Sequence, residues 1–282
     1  MSVDERARDP AMPATPSAGH DPWSLRDPLA ALAEAAGRAI SEVYASDFSV
    51  QFKADASPVT EADLRSQAIL TAGLAGLTPG VPLLAEEGAA VPYARRRAWA
   101  RLWCVDPLDG TRDFVARSGE FSVNVALIER GRPVLGMVHA PVKGVTYVGA
   151  PGRGAWRRAV AGPWLAVRVA PPPDRRLRVF ASRQHAGPRT MAWLASLADD
   201  WEVEVLHHGS AFKACLVADG SAHLYPRLGP THEWDTAAAQ AILEGAGGVL
   251  CRAGGTEPLR YNKPDLRNPD FYAAWGPDAP HP

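Results

Sequence analysis

Trp103-Cys-Val-Asp-Pro-Leu-Asp-Gly-Thr-Arg-Asp-Phe114 begins as an apolar strand and ends as a turn. The run Leu102–Val105 is short and bounded by turn residues, so it reads as a strand ending at Asp106. Pro107 denies the ladder a donor, and Gly110 permits a tight turn. Asp106 and Asp109 are thus delivered together at a strand end. If Thr111 to Phe114 opens a helix, its N–H groups face the same point and favour a phosphate oxygen. Hard cations such as Mg²⁺ take carboxylate and carbonyl oxygens, which this turn offers through Asp106, Asp109 and the Leu108 carbonyl. The alternative for an isolated D-P-x-D-G is an Asp-rich surface turn that caps a helix.

On either side of this turn the periodicity predicts the surrounding elements. Leu29, Leu32, Ala36, Ile40 and Val43 recur at helical steps within 23–44. Thr60 with Asp63 resembles a capping box, Asp standing in for Glu, and opens a second helix to about Leu77. Val81–Ala85 reads as a strand, Phe121–Glu129 and Pro133–His139 as a hairpin, and Val145–Val148 as a further strand. The stretch 150–163 reads as a loop. Beyond it, strands at Leu177–Ala181, Val203–Leu206, Ala222–Tyr225 and Val249–Cys251 alternate with helices at Arg189–Ala198, Ala211–Ala218 and Thr236–Gly245. The expected class is α/β, with an α+β N-terminal half and an α/β C-terminal half. The expected organisation is a flexible tail at 1–20, an N-terminal domain at 21–155 and a C-terminal domain at 156–282.

A chain of 282 residues can bury a full core, and 46% hydrophobic with 22% charged residues is ordinary for a soluble globular protein. The formal net charge of −1 argues against a nucleic-acid partner, which usually selects a basic excess. Cys104, Cys215 and Cys251 lack metal-ligand or redox spacing and sit among apolar neighbours, as small buried hydrophobes do. No run approaches the ~20 apolar residues of a membrane span, and the polar N-terminus lacks a signal-peptide core. The expected compartment is a reducing cytoplasm; no particular oligomeric state is implied.

Three more acidic segments accompany the turn. Leu83-Leu-Ala-Glu-Glu-Gly88 places Glu86 and Glu87 at a strand end, where a solvated surface pair is the ordinary explanation. In Glu233-Trp-Asp-Thr-Ala-Ala238, Asp235 precedes an Ala-rich helix and reads by default as its N-cap. The segment from Lys53 to Asp63, taken alone, is a polar helix start. Jointly they read differently, because α/β layers gather ligands at element ends. There is no Cys/His constellation for zinc, no G-x-x-x-x-G-K loop and no G-x-S-x-G elbow. Carboxylate-bound Mg²⁺ acting on an oxygen-rich phosphate substrate is what remains.

Glu86-Glu87, Asp106-Pro-Leu-Asp-Gly-Thr111 and Trp234-Asp-Thr-Ala-Ala238 resemble the three signatures of the lithium-sensitive, inositol-monophosphatase-like phosphatases, and Lys53 to Asp63 resembles their upstream element. The resemblance spans most of 25–275 and implies a layered αβαβα sandwich. In the second half, Ala181-Ser-Arg-Gln-His185, Gly209-Ser-Ala-Phe-Lys213 and Tyr225-Pro-Arg-Leu-Gly-Pro-Thr231 resemble the bacterial 3'(2'),5'-bisphosphate nucleotidases, which remove the 3'-phosphate of adenosine 3',5'-bisphosphate. That resemblance implies a small phosphorylated nucleotide as substrate, free, sulfated or both. Ser210, Lys213 and Arg227 would hold its phosphates, with Ser182 and His185 lining the same cleft and Asp109, Gly110, Thr111 and Asp235 also facing substrate. Cations beyond the metals suit a dianion beside an acidic site. Ala211, Gln184 and Ala239 depart from the family's usual residues without removing a metal ligand, which puts substrate detail in question rather than chemistry.

The implied mechanism is in-line attack by water with two or three Mg²⁺ ions. Glu86, Asp106 and the Leu108 carbonyl would hold one ion, Asp106, Asp109 and Asp235 a second, and Asp63 would reach a third through water. Thr111, with Glu86, would orient the attacking water. Catalytic roles thus fall on Glu86, Asp106 and Thr111. The alternative enzyme is an inositol monophosphatase or fructose-1,6-bisphosphatase with the same metal site. Inhibition by Li⁺ at a Mg²⁺ position is a further implication of the resemblance.

Overall fold

The structure, a computed structural model, describes residues 21–54, 56–181, 187–208, 210 and 212–282. The expected tail at 1–20, and Ser182, Gln184, His185, Gly209 and Ala211, lie outside the described residues.

The chain opens with helix α1 (Arg26–Tyr44), a short hairpin of β1 (Val50–Phe52) and β2 (Pro58–Thr60), and helix α2 (Glu61–Leu77). Next come β3 (Leu83–Ala85), a single turn α3 (Tyr93–Arg96), β4 (Arg101–Asp109) and the short helix α4 (Thr111–Val115). Strands β5 (Ser122–Glu129), β6 (Arg132–Ala140), β7 (Val145–Ala150), β8 (Gly154–Ala159) and β9 (Leu165–Val167) complete a seven-stranded sheet in the order β3-β4-β5-β6-β7-β8-β9. Its pairs are antiparallel except β3 with β4.

The second part supplies β10 (Arg176–Ala181), α5 (Pro188–Ser196), β11 (Glu202–His207), α6 (Phe212–Ala218), β12 (Leu224–Arg227), α7 (Glu233–Gly245), β13 (Val249–Arg252) and β14 (Phe271–Ala274). These strands form a sheet ordered β11-β10-β12-β14-β13, parallel across β11, β10 and β12 and antiparallel at β14.

The layering follows from the pleat, which sends alternate side chains to opposite faces. In β4, Trp103 and Val105 face α1 and α2, joining Leu29, Ile40 and Leu70 in one core. Leu102 and Cys104 face the other way, against Ala237, Ala238 and Ile242 of α7 and Cys215 of α6. The second sheet covers the far side of α6 and α7 through Tyr225, Leu250 and Phe271. Leu194 of α5 closes the stack over Leu177, Val179 and Tyr272. This is the αβαβα sandwich. Helix α7 sits close to the first sheet because Gly136 of β6 has no side chain: a Cβ there would lie 2.1 Å from the Ala238 carbonyl oxygen.

One expectation fails. The stretch 150–163, read as a loop, contains β8, which pairs with β7 on one side and with the edge strand β9 on the other. Arg157 and Arg158 point to opposite faces of the strand, where they pair with Asp219 and Glu34 respectively. Adjacent charges in a Gly-rich setting hid the alternation. The change of sheet falls between Val167 of β9 and Arg176 of β10.

Candidate active site

Strand β4 pairs regularly with β5 as far as Asp106 opposite Asn124, then shifts register before Asp109 meets Ser122. The bulge has a local cause: Pro107 has no N–H to donate, and the Leu108 N–H turns back to Asp106 Oδ1 at 3.0 Å. The Ser66 hydroxyl of α2 holds the Pro107 carbonyl at 2.7 Å. Gly110, at φ 93°, then reverses the chain into α4, and a Cβ there would meet the Glu120 carbonyl oxygen at 2.9 Å. The result presents Asp106, Leu108, Asp109, Gly110 and Thr111 to one cleft of about 720 Å³.

Glu86 reaches the cleft from the end of β3, where its N–H donates to the Val105 carbonyl at 3.2 Å. Asp235 arrives from the second part of the chain. It is not the N-cap of its helix: α7 starts at Glu233, His232 is the cap, and Asp235 Oδ2 accepts the His232 N–H at 2.8 Å. The helix begins earlier than its Ala-rich pattern suggests, so the acidic residue lies inside the first turn.

Glu86, Asp106 and Asp235 each offer an oxygen within 4.8 Å of the others. Burial first, then Glu86, Asp109 and Asp235, pushes the Asp106 carboxyl far above the usual range. Burial and Asp109 do the same to Asp235, against the opposing His232 N–H bond. Glu86 is raised by burial, and Lys53 opposes that rise. Lys53 Nζ stands 3.0 Å from Glu86 Oε1 and pairs also with Glu87. Burial penalises the Lys53 ammonium, yet Glu87 and Glu86 together hold its pKa above the ordinary lysine value. One shared ammonium does not balance three crowded carboxylates. The donors are all hard oxygens, the set that suits a divalent cation such as Mg²⁺.

Asp63 is placed elsewhere. It is buried, its Oδ2 accepts both the N–H and the hydroxyl of Thr60 at 2.7 Å, and its Oδ1 accepts the Thr111 hydroxyl at 3.2 Å. The structure therefore puts Asp63 behind Thr111 and not in the three-carboxylate group. The Thr111 hydroxyl also lies 3.3 Å from the Leu108 carbonyl.

The opposite wall of the cleft is cationic. Lys213, the second residue of α6, is buried, donates from Nζ to the Ser210 carbonyl at 2.8 Å, and lies 5.0 Å from the Tyr225 ring centroid. Burial lowers its pKa to about 8, with Asp109 opposing. Arg227, at the end of β12, donates from Nη2 to the Pro230 carbonyl at 3.2 Å, while its buried Nε–H has no partner among the described residues. Ser210 sits at φ 51° with its Oγ 3.3 Å from Ser122 Oγ and accepts the Phe212 N–H at 3.2 Å. Ser210, Lys213 and Arg227 all line the cleft that holds the carboxylates.

Among the described residues, every sequence-predicted site residue except Asp63 lines this cleft. Sequence reasoning missed the sharing of Lys53 between Glu86 and Glu87 and the support Ser122 gives Ser210. A lysine and a glutamate 33 positions apart carry no mutual signal in a single sequence.

Residues 23–279 match the sequence model of the inositol monophosphatase family. The chain is 43% identical over 251 residues to the 3'(2'),5'-bisphosphate nucleotidase CysQ of Escherichia coli strain K12, covering 88% of this chain and 98% of that one. The corresponding nucleotidase of Salmonella typhimurium is 45% identical over 219 residues, 77% of this chain and 85% of its own. Among solved structures, CysQ from Bacteroides thetaiotaomicron, described as a bacterial member of the inositol monophosphatase family, superposes with a TM-score of 0.79 at 41% identity. That match covers 89% of this chain and 97% of the other.

Proposed function

The chain belongs to the inositol monophosphatase family, and we propose that it is a Mg²⁺-dependent 3'(2'),5'-bisphosphate nucleotidase. Its substrate is adenosine 3',5'-bisphosphate, and its sulfated counterpart shares the phosphate that is removed. The observation that carries the chemistry is the convergence of Glu86, Asp106 and Asp235 from three separate elements, opposite Lys213 and Arg227 in one cleft. What favours a bisphosphorylated nucleotide is the 43% identity, along nearly the whole chain, to relatives bearing that name.

In the overall reaction a water oxygen attacks the 3'-phosphorus in line. The bond from phosphorus to the ribose 3'-oxygen breaks, and that oxygen takes up a proton, giving AMP and inorganic phosphate. Glu86, Asp106, Asp235, Asp109 and the Leu108 carbonyl would hold two or three Mg²⁺ ions, which would supply Lewis-acid activation of water and charge neutralisation on the phosphoryl and leaving oxygens.

The chain's own residues set the geometry. Asp63 holds the Thr111 hydroxyl from behind, so Thr111 is fixed to orient the incoming water with Glu86. Lys213 and the Arg227 guanidinium grip the phosphates, Arg227 through donors arranged for planar bidentate contact. Positioning and electrostatics carry most of the rate. The buried free thiols Cys104, Cys215 and Cys251 suit a reducing compartment, and the cytoplasm is part of the proposal. No described helix is long and apolar enough to cross a membrane.

Asp235→Asn tests the assignment. It keeps an oxygen for the His232 N–H and so keeps the cap, but removes a charge from the cluster. Mg²⁺-dependent release of phosphate should fall by about 10²-fold or more, with the circular dichroism spectrum unchanged. Near-normal turnover would overturn the ligand set.

A further inference from the structure

Behind the first turn of α7 lies a polar assembly centred on Glu233 and Asn262, neither of which lines the cleft. Glu233 has no solvent exposure, and its carboxylate points away from the site into the segment 260–268. Oε2 accepts the Asn262 N–H at 2.6 Å, and Oε1 accepts the Lys263 N–H at 2.9 Å and the Lys263 ammonium at 2.6 Å. The Glu233 N–H in turn donates to the Leu266 carbonyl at 3.0 Å. The Asn268 side chain adds bonds to the His232 carbonyl at 2.5 Å and to Thr236 Oγ1 at 3.0 Å. The segment therefore wraps the turn that presents Asp235.

That wrapping segment is itself anchored to the other half of the molecule. Arg96 of α3 lies on the connection between β3, which ends beside Glu86, and β4, which carries Asp106. Its guanidinium is nearly fully buried. Nη1 donates to Asn262 Oδ1 at 3.0 Å and to the Lys263 carbonyl at 2.5 Å, and Nη2 donates to the Pro264 carbonyl at 2.8 Å. Asn262 answers with its Nδ2, which donates to the Arg96 carbonyl at 2.7 Å. Asn262 is at φ 61°, a conformation that puts its backbone N–H on Glu233 while its side chain faces Arg96.

We propose that Arg96, Asn262 and Glu233 form a clamp that positions Asp235 against Glu86 and Asp106. The three carboxylates come from elements in two different sheets or their flanks, so their spacing is fixed only if those elements are fixed to one another. The clamp runs from the β3–β4 connection through Asn262 to the first residue of α7. Packing alone would seat α7 against the sheet, but a buried, multiply bonded guanidinium also sets its register and rotation. None of the three residues lines the cleft, so each is a positioning residue that acts through Asp235. The inference rests on the proposal that Asp235 holds the cation.

The test compares the full-length variants Asn262→Gly, Arg96→Met and Arg96→Lys with the wild type and with Asp235→Asn. Asn262→Gly keeps the left-handed backbone and the bond to Glu233 and removes only the side chain that meets Arg96. Mg²⁺ binding is measured by calorimetry without substrate, alongside KM for the nucleotide at saturating Mg²⁺ and thermal unfolding. Asn262→Gly and Arg96→Met should weaken Mg²⁺ binding by about tenfold, the lower end of what outer support of a metal site commonly supplies. KM at saturating Mg²⁺ should stay within about twofold, and Arg96→Lys should recover part of the loss. Wild-type Mg²⁺ affinity in Asn262→Gly, whatever its melting temperature, with affinity lost in Asp235→Asn, overturns the clamp alone. Wild-type affinity in Asp235→Asn overturns the ligand assignment and the clamp's role with it. If Arg96→Met does not fold, Asn262→Gly decides.

Discussion

Keeping Glu86, Asp106 and Asp235 ionised within 4.8 Å of one another costs free energy that a bound cation offsets. A carboxyl whose folded pKa lies above its unfolded value of about 4 contributes stability that is present below that value and lost as pH rises through the folded pKa. Asp106 is such a group. Metal-free Asp106→Asn should therefore melt higher than the metal-free wild type at pH 7 to 8, with the gap closing as pH falls toward 4. It should also lose Mg²⁺-dependent turnover. A lower melting temperature at neutral pH would contradict this. Lys213→Ala should raise KM for the bisphosphate by about tenfold while kcat changes less, the pattern of a lost ground-state contact; an unchanged KM would say the lysine serves the fold. The residue types were legible in D-P-L-D-G-T and W-D-T-A-A taken together, because each alone fits a surface turn or a helix cap and only their joint occurrence points to one cation site. The partners of those residues were not. That Asp63 serves Thr111, or that Lys53 is shared between Glu86 and Glu87, depends on contacts between distant parts of the chain.

Helix α7 carries Asp235 at one end and packs its Ala-rich face on the first sheet, so its seating and the site are linked. Gly136→Ala puts a methyl group where the Ala238 carbonyl oxygen lies 2.1 Å away. Overpacking of this kind typically costs about 1–3 kcal/mol, and urea unfolding should show that loss together with weaker Mg²⁺ binding. Stability equal to wild type would mean that the helix and strand have room to part. The strand through Gly136 was readable from the hairpin pattern of 121–139, yet the reason for a glycine there was not, since it lies in the identity of the helix above. Strand β8 was missed for a related reason: Arg157 and Arg158 look like loop residues until Asp219 and Glu34 are seen to face them. Helix α4 was foreseen only conditionally, because five residues give no period to read.

Across the whole molecule, two sheets share the α6 and α7 layer, and the cleft opens where β3 and β4 end against the ends of β12 and α7. The local patterns foretold strands, helices and a change of texture near the middle. The stacking order came instead from the family resemblance, because helical periodicity does not say which sheet an apolar face will cover. The same division holds for function, with metal chemistry readable from carboxylates and the nucleotide from the segments around Lys213 and Arg227. Adding Li⁺ to the Mg²⁺ enzyme should depress turnover through a shared cation position, and full activity at high Li⁺ would count against this geometry. The most direct measurement is phosphate release from adenosine 3',5'-bisphosphate, inositol monophosphate and fructose 1,6-bisphosphate under identical conditions, with Mg²⁺ and again with chelator. The account predicts a kcat/KM for the bisphosphate nucleotide at least about a hundredfold above the other two, which is about 2.7 kcal/mol of transition-state discrimination, and no turnover without the metal. Equal or greater efficiency on either other substrate, or turnover that survives the chelator, would contradict it.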